Sequence, residues 1–249
     1  MHTEPDYSSI FHQSSKDLAK GHPPISQDVN DWPKEWRTVS YKTYPRLPMV
    51  ILSHIEPADR FFQILRKRQT ARNFESVTSM SLEEASLFLK YSCGNIERAP
   101  DGKTRRRAQA SGGARFPIEV YAWVLHGDER IKPGLYHYNV LEHALDILWE
   151  KKFSDEEVRD CFVFDWIQEV NIVFFMTAVF QRTQMKYGER GYRYILIEAG
   201  HIGQNMYLVA EALGLKCCAL GGTHDEKIER LLDIDGTTES LVYAVAVGH

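Results

Sequence analysis

The sequence predicts an α+β sandwich. Strand-like runs rich in β-branched and aromatic residues are scattered among helical runs of unequal length, rather than alternating with them in regular βαβ units. One apolar run, 170–179, contains no Gly or Pro and has the composition of a central strand that is buried on both faces. With 249 residues, 43% of them hydrophobic, the chain can build one large core or a core shared between two subunits.

The first 57 residues show no regular pattern and are predicted to form an arm that wraps the body of the protein. They are rich in Pro, Ser and His, and they carry Trp32, Trp36, Tyr41 and Tyr44. Aromatic side chains are unusual in a free tail. The expected division is therefore an N-terminal arm, 1–57, and one domain, 58–249.

Two helices are predicted before the first strand. Apolar residues at 61, 62, 64 and 65 indicate a helix over 58–67. Ser81 followed by Glu84 is a capping box, so a second helix is expected to begin there and to reach about Tyr91. Besides the central run, strands are predicted at 116–125, 135–140, 216–220 and 241–247.

A long helix is predicted after Lys186 and Tyr187. Apolar residues recur at spacings of three and four, at Ile195, Ala199, Ile202, Met206, Val209 and Leu213. Gly200 and Gly203 each cost about 1 kcal/mol relative to Ala, which indicates that a backbone or a cofactor comes close to them. Gly214 is predicted to end the helix. The Lys-Tyr pair and the Gly221-Gly222 loop are thus expected at the two ends of one rigid rod.

Composition excludes several classes of protein. The formal net charge is −4 and the basic residues are dispersed except at 103–107, so no nucleic-acid surface is predicted; that short run is either an anion clamp or a solvated loop. The four cysteines, Cys93, Cys161, Cys217 and Cys218, lack the spacing of a zinc site, and no metal is expected. Without a signal sequence or an 18-residue apolar run, the chain is expected to be cytoplasmic, with reduced thiols and no membrane contact.

Two short segments are candidates for ligand binding. Arg68 and Arg72 lie four residues apart with Thr70 between them, an arrangement that suits phosphate oxygens but that also occurs on ordinary surface helices. The loop at Ser111-Gly112-Gly113 permits close approach of the backbone to a ligand, although it is equally compatible with a plain turn. The sequence contains no dinucleotide-binding or P-loop glycine motif and no serine-hydrolase elbow.

Taken together, the motifs are more specific than any of them alone. In chain order they are Arg68-Gln69-Thr70-Ala71-Arg72, Ser111-Gly112-Gly113 with Pro117, Glu119 and Tyr121, Lys186-Tyr187 with Arg190-Gly191-Tyr192-Arg193, Glu198-x-Gly200 with Gln204-Asn205, Gly214-Leu215, and Gly221-Gly222. This order resembles the nitroreductase superfamily and, within it, the SagB-type (ThcOx-like) dehydrogenases that oxidise azolines in peptides. The resemblance covers about residues 8–248 and includes motifs of the arm around His12 and Tyr41.

The resemblance implies a mostly antiparallel central sheet flanked by helices, FMN as cofactor, and an intertwined homodimer with an active site at each subunit interface. It implies that Arg68, Gln69, Thr70 and Arg72 hold the FMN phosphate and the flavin edge. Ser111 and Gly113 would line the flavin ring, and the backbone of Leu220, Gly221 and Gly222 would lie near its N5 and O4 atoms. Two residues depart from the family: Gln69 stands where a second arginine is common, and His249 stands where an arginine or lysine often helps to hold the phosphate.

Lys186 and Tyr187 match the pair that azoline dehydrogenases use in catalysis. A lysine acts as a base only where burial or nearby cations such as Arg190 and Arg193 lower its pKa, and without the resemblance Lys186 would be read as a solvated surface residue. His201 is interpreted as a satisfied core histidine. Three functions remain open: dehydrogenation of an azoline-like small molecule or peptide, NAD(P)H-dependent reduction of nitro compounds or quinones, and a flavin-binding partner subunit without catalysis. Partner proteins that modify peptides also remain open.

Overall fold

The computed structural model describes residues 6–16, 28–37, 41–98 and 105–249. The helices are α1 (Tyr7–Ser15), α2 (Lys34–Arg37), α3 (Arg60–Lys67), α4 (Leu82–Cys93), α5 (Asp155–Arg159), α6 (Gln181–Tyr187), α7 (Arg190–Leu213) and α8 (Asp225–Leu232). The strands are β1 (Asn95–Arg98), β2 (Arg105–Arg107), β3 (Ile118–Val124), β4 (Gly134–Asn139), β5 (Ala144–Trp149), β6 (Ile172–Val179), β7 (Lys216–Leu220) and β8 (Glu239–Gly248). Single 3₁₀ turns occur at Val29–Asp31, Gly112–Ala114 and Asp165–Glu169.

Six strands form one sheet in the order β5-β4-β3-β6-β8-β7, and every neighbouring pair is antiparallel. The predicted fold class is confirmed. Strand β6 lies in the middle, between β3 and β8, and its side chains alternate between two apolar layers. Phe174 stacks on Phe88 of α4, with ring centroids 4.8 Å apart, whereas Phe175 stacks on Phe162 on the opposite face at 6.2 Å. The prediction of a central strand buried on both faces is therefore also confirmed.

Helices cover both faces of the sheet. On one face lie α4 and α7, whose Phe88, Ile195 and Met206 are fully buried. On the other face lie α5 and α8, which contribute Val158 and Ile228 to the second layer. Helix α4 begins at the predicted capping box, in which the Ser81 side chain accepts from the Glu84 N–H and the Glu84 carboxylate accepts from the Ser81 N–H.

The long helix predicted after the Lys-Tyr pair is α7, and the pair itself lies at the end of a separate helix, α6. Helix α6 ends at Tyr187, Gly188 takes a left-handed φ of 56°, and α7 begins at Arg190. The apolar spacing predicted α7 but gave no indication of α6, and the break between the two helices depends on the backbone of one glycine. Helix α7 does end at Gly214, which has a φ of 75°.

The two glycines inside α7 have different surroundings. A Cβ on Gly203 would lie 2.5 Å from the Tyr243 ring, so this position requires Gly for the packing of α7 on the sheet. At Gly200 no heavy atom of the described residues lies within 4 Å of an added Cβ. Gly200 is exposed next to Leu196 and Ile197, whose side chains are 38% and 54% exposed. The close approach predicted at both glycines is therefore found within the chain only at Gly203.

The described parts of the arm behave differently from one another. Helix α1 packs on the domain through His12 and Lys16, which are 6% and 7% exposed. Residues 41–55 are mostly solvent-exposed, including Val50 at 89% and Ile51 at 82%. Residues 1–5, 17–27 and 38–40 lie outside the described residues, so the wrapping of the whole arm stays a prediction. Lys103 of the basic run also lies outside the described residues, so its role stays a prediction too. Within the described ranges, no helix is long and apolar enough to cross a bilayer.

Candidate active site

The glycine loop meets the Lys-Tyr pair. Gly113 lies in the turn before β3 with a φ of 65°, and Ala114 and Phe116 also have positive φ values, 52° and 48°. An added Cβ at Gly113 would lie 2.3 Å from the Tyr187 hydroxyl oxygen and 3.0 Å from Lys186 Nζ. Such a concentration of unusual backbone angles costs free energy and is typical of functional sites. The structure thus brings together three residues that the sequence predicted separately; Gly113, Lys186 and Tyr187 are called the Lys-Tyr group below.

Glu198 and His201 of helix α7 hold the glycine loop in place by polar contacts. Ser111 Oγ accepts from the Phe116 N–H at 2.9 Å, and the His201 ring contacts the Ala110 carbonyl oxygen at 3.2 Å. Glu198 is buried, and Gln109 Nε2 donates to its carboxylate at 3.4 Å. Burial raises the pKa of Glu198, while hydrogen bonds from Ser111 and Gln109 oppose that rise. His201 is satisfied as predicted but is exposed, so its interpretation as a core residue was wrong.

The Lys-Tyr group has an aromatic neighbour that sequence reasoning missed. The Tyr187 and Tyr194 rings meet edge to face, 5.1 Å apart, and Lys186 Nζ lies 5.1 Å from the Tyr187 ring centroid. Lys186 itself is exposed in the single chain. Since Tyr194 is only one of several tyrosines near the start of the helical pattern, the sequence carried no signal for this contact. The arrangement places an amine and a phenol side by side, where both can exchange a proton with a ligand.

The arginine segment lies beside the edge strand β7. The Ala71 N–H donates to the Cys217 carbonyl at 3.1 Å, so the chain after α3 follows the sheet edge. The Tyr207 hydroxyl lies 3.2 Å from Thr70 Oγ1 and accepts from the Ala219 N–H at 2.8 Å. The Arg68 guanidinium lies over the Tyr207 ring, 5.4 Å from its centroid. Tyr207, which the sequence analysis did not single out, thus ties the arginine segment to the end of β7.

The side chains of this segment are largely open to solvent. Gln69, Thr70 and Arg72 are exposed, and Arg68 is half-buried. The Arg72 guanidinium lies beside the Cys218 thiol and opposes the rise in pKa that burial causes there. Two guanidinium groups and one hydroxyl therefore lie along the sheet edge beside β7, and these are donor types that suit a phosphate.

The Leu220-Gly221-Gly222 segment follows directly. Leu220 is buried at the end of β7 and pairs with Ala244. At Gly221, no heavy atom of the described residues lies within 4 Å of an added Cβ, so its backbone is open. Gly222 is packed against Val163, because a Cβ there would lie 2.2 Å from Val163 Cγ2. Arg68, Thr70, Arg72 and Gly221 are called the arginine group below.

His249 has a carboxylate as its neighbour. Its N–H donates to Asn171 Oδ1 at 2.8 Å, and its carbonyl accepts from the Glu75 N–H at 2.8 Å. The ring Nε2 lies 3.6 Å from Glu84 Oε1, and this contact contributes to the lowered pKa of Glu84. The predicted help of His249 with a phosphate stays a prediction.

The two groups lie far apart in one chain. Tyr194 of α7 contacts the Lys-Tyr group, whereas Tyr207 of the same helix contacts the arginine group. At 1.5 Å per residue, these two helix positions are about 20 Å apart. A single chain therefore presents two separate halves of the site that the sequence analysis described.

Sequence comparisons identify relatives. The family model described as the nitroreductase family matches residues 65–249. The chain is 31% identical over 171 residues to "Putative nitroreductase MJ1384" of Methanocaldococcus jannaschii, covering 69% of this chain and 83% of that protein. It is 33% identical over 177 residues to the trifolitoxin-processing protein TfxB of Rhizobium leguminosarum bv. trifolii, covering 68% of this chain and 47% of that protein. The chain thus spans about half the length of TfxB.

The solved structures agree on the fold. A chain of the E. coli microcin synthetase McbBCD complex, with truncated pro-MccB17 bound, superposes with a TM-score of 0.74 at 21% identity, covering 100% of this chain and 94% of that chain. At this identity the likeness concerns the fold alone. The match of the family model over the whole β-sheet domain, together with the identity to the archaeal relative, decides the classification. The chain belongs to the nitroreductase family.

Proposed function

We propose that this protein is an FMN-dependent oxidoreductase of the SagB type, which dehydrogenates azoline-like rings with Lys186 and Tyr187 as catalytic residues. The observation that carries the proposal is the contact of Gly113 with the Lys186 amine and the Tyr187 hydroxyl. The name of TfxB, a trifolitoxin-processing protein, and the bound pro-peptide in the McbBCD structure support a peptide substrate. They also support partner proteins that act on the same peptide.

The residues of the arginine group fit FMN. Arg68, Arg72 and the Thr70 hydroxyl offer charge and hydrogen bonds for the phosphate. The open backbone at Gly221 leaves room for a flat ring, and the N–H groups of Gly221 and Gly222 are suited to its polar edge. When bound, FMN would supply the acceptor for a hydride. Gln69 replaces a cation with an amide, so it would contribute a hydrogen bond to the cofactor but no charge.

A second copy of the chain would complete the site. The Lys-Tyr group and the arginine group lie about 20 Å apart in one protomer. The Lys-Tyr group of each protomer would therefore face the arginine group of its partner across the interface. The exposed Leu196, Ile197 and Gly200 on α7 supply an apolar strip with a glycine where a second backbone can approach. We therefore propose a homodimer with two equivalent active sites.

The Lys-Tyr group supplies the proton chemistry in this proposal. Aromatising an azoline requires removal of a proton from ring carbon. The Lys186 amine would accept that proton, and the Tyr187 hydroxyl would hydrogen-bond the substrate ring or pass the proton on. Lys186 is exposed in the single chain, so the second protomer and the substrate would provide the burial that favours its neutral form. The missing Cβ of Gly113 lets both polar ends approach the loop together.

One alternative activity has its own support. The likeness to the archaeal nitroreductase, of which the chain covers 83%, favours an NAD(P)H-dependent reductase of nitro compounds or quinones. That reaction would use the arginine group in the same way but would not require Lys186 as a base. The location that we propose is the cytoplasm, a compartment that suits four buried, free thiols.

The test compares Lys186→Ala with Lys132→Ala, which changes an exposed lysine paired with Glu150. Each purified protein is assayed for bound FMN, for oxidation of a thiazoline-containing peptide, and for NADPH-dependent reduction of a nitroaromatic compound. We expect Lys186→Ala to lose about 100-fold or more in thiazoline oxidation with FMN retained, the range for loss of a general base, and Lys132→Ala to keep full activity.

Two other outcomes would contradict the proposal. Unchanged turnover in Lys186→Ala with FMN bound would remove the lysine from the mechanism, and NADPH-dependent activity in both variants would then favour the reductase. Failure of the wild-type protein to bind FMN would favour a partner subunit without catalysis.

A further inference from the structure

Helix α1 lies across the junction between α6 and α7. Its Ser8 bonds to both sides of the Gly188 break: the Ser8 N–H donates to Glu189 Oε2 at 2.7 Å, and the Ser8 hydroxyl accepts from Gln184 Nε2 at 2.7 Å. The same hydroxyl donates its proton to Asp6 Oδ1 at 3.0 Å. Ser8 is 8% exposed. One buried residue thus connects the helix that carries Lys186 to the start of α7: its side chain bonds to Gln184 and its backbone to Glu189.

The other end of α1 is fixed to the domain by buried polar contacts. The His12 ring lies between the Tyr192 hydroxyl, at 3.1 Å, and Ser240 Oγ, at 2.8 Å. Lys16 Nζ forms an ion pair with Glu229 at 2.9 Å and donates to the Gly236 carbonyl at 2.6 Å. Since these contacts are buried, α1 is held as a rigid element rather than lying loosely on the surface.

The junction needs such support on one side. At Gly188, φ is 56° and no heavy atom of the described residues lies within 4 Å of an added Cβ, so no side chain among them packs against that position of the break. The N-terminal half of α6 is held elsewhere, because Arg182 bonds to Glu119 and to the Phe116 carbonyl. The C-terminal half carries Lys186 and Tyr187, and there Gln184 is the residue that α1 holds.

We infer that α1 is a clamp for the catalytic helix and that Ser8 is a positioning residue, which fixes the orientation of Lys186 and Tyr187 through Gln184. Helix α1 precedes residue 65, where the match to the family model begins, so the clamp lies outside the matched part of the chain. The catalytic consequence rests on the proposed function, whereas the mechanical clamp does not.

Hydrogen–deuterium exchange of the full-length protein tests the clamp without any assay of activity. Ser8→Ala is compared with Ser14→Ala, which removes a hydroxyl of the same helix whose partner among the described residues is the Ile10 carbonyl within α1. Loss of one buried hydrogen bond should speed exchange at 184–188 by about 2- to 12-fold in Ser8→Ala, with α4 unchanged. Equal exchange at 184–188 in the two variants would overturn the inference.

A double-mutant cycle identifies the partner. If Ser8 acts through Gln184, then Gln184→Ala should speed exchange at 185–188 to a similar degree, and the double variant should be no faster than either single one. Effects of the two substitutions that multiply would show that they act independently, and Ser8 would then not be a positioning residue for α6.

Steady-state kinetics connect the clamp to catalysis. With a thiazoline peptide, Ser8→Ala should lower kcat by about 2- to 12-fold at unchanged KM and unchanged FMN content, while Ser14→Ala should match the wild type. A rise in KM with kcat intact would refute the positioning role. If the proposed function is wrong, Lys186→Ala will be as active as the wild type, yet the exchange result will stand, so the two failures are distinguishable.

Discussion

Replacing Gly113 with alanine should damage catalysis far more than stability. The left-handed φ of 65° costs an L-residue about 1–2 kcal/mol. In addition, the new Cβ would lie 2.3 Å from the Tyr187 hydroxyl and 3.0 Å from Lys186 Nζ. To regain an ordinary contact distance, Tyr187 or the loop must move by about 1 Å, and a displacement of that size at a catalytic group can lower turnover about 100-fold.

Gly214→Ala is the matched control. Gly214 has a φ of 75°, and no heavy atom of the described residues lies within 4 Å of an added Cβ, so alanine there pays the backbone strain without a collision. Both variants should melt about 2–4 °C or more below the wild type, because their backbone strain is similar. Only Gly113→Ala should lose kcat in thiazoline oxidation. Equal turnover in the two variants, measured with FMN saturating, would refute the assignment of the Lys-Tyr group.

Two further predictions concern Tyr207 and His12. Tyr207→Phe removes the acceptor of the Ala219 N–H and the partner of Thr70, so FMN affinity should fall about 2- to 12-fold in a fluorescence titration; an unchanged Kd would separate Tyr207 from the cofactor site. Burial, aided by the charge of Lys16, lowers the pKa of His12 from 6.5 to about 4. His12 therefore binds a proton more readily in the unfolded chain than in the folded one. The free energy of unfolding should fall as the pH drops from 6.5 to 4, and His12 should cause no further fall below pH 4. The full shift corresponds to roughly 3 kcal/mol, which solvent screening reduces to about 1–2 kcal/mol. Urea unfolding at pH 7 and pH 4.5 should show a smaller difference for His12→Gln than for the wild type, and identical differences would contradict this role of His12.

Local patterns predicted much of the fold. The capping box at Ser81, the strand at 216–220 and the end of α7 at Gly214 follow from short-range chemistry that does not depend on distant parts of the chain, and the structure has them at those positions. Other elements carry weaker patterns. Strand β5 is an edge strand with mostly exposed side chains, so its residues lack the alternation that indicates a half-buried strand. Helix α8 follows the Gly221-Gly222 loop. It was not predicted, because this region was interpreted only as a glycine loop.

The candidate site, too, was only partly predicted from the sequence. The order of motifs predicted roles for Lys186, Tyr187 and the arginine segment, because residue types suited to phosphate binding and proton transfer can be read without coordinates. Tyr207, Tyr194 and Gln109 were not, because their importance lies in contacts with residues far away in the chain.

Sequence alone determined the fold class, the central strand and the residue types available for chemistry, since hydrophobic period, capping and turn preferences act over a few residues. Only the tertiary structure decided that Gly113 meets Lys186 and Tyr187, that Gly188 separates α6 from α7, and that Ser8 of the arm bridges the break. These contacts join residues up to 181 positions apart in the chain. They depend on how the sheet and helices pack as a whole, and no local pattern encodes that packing.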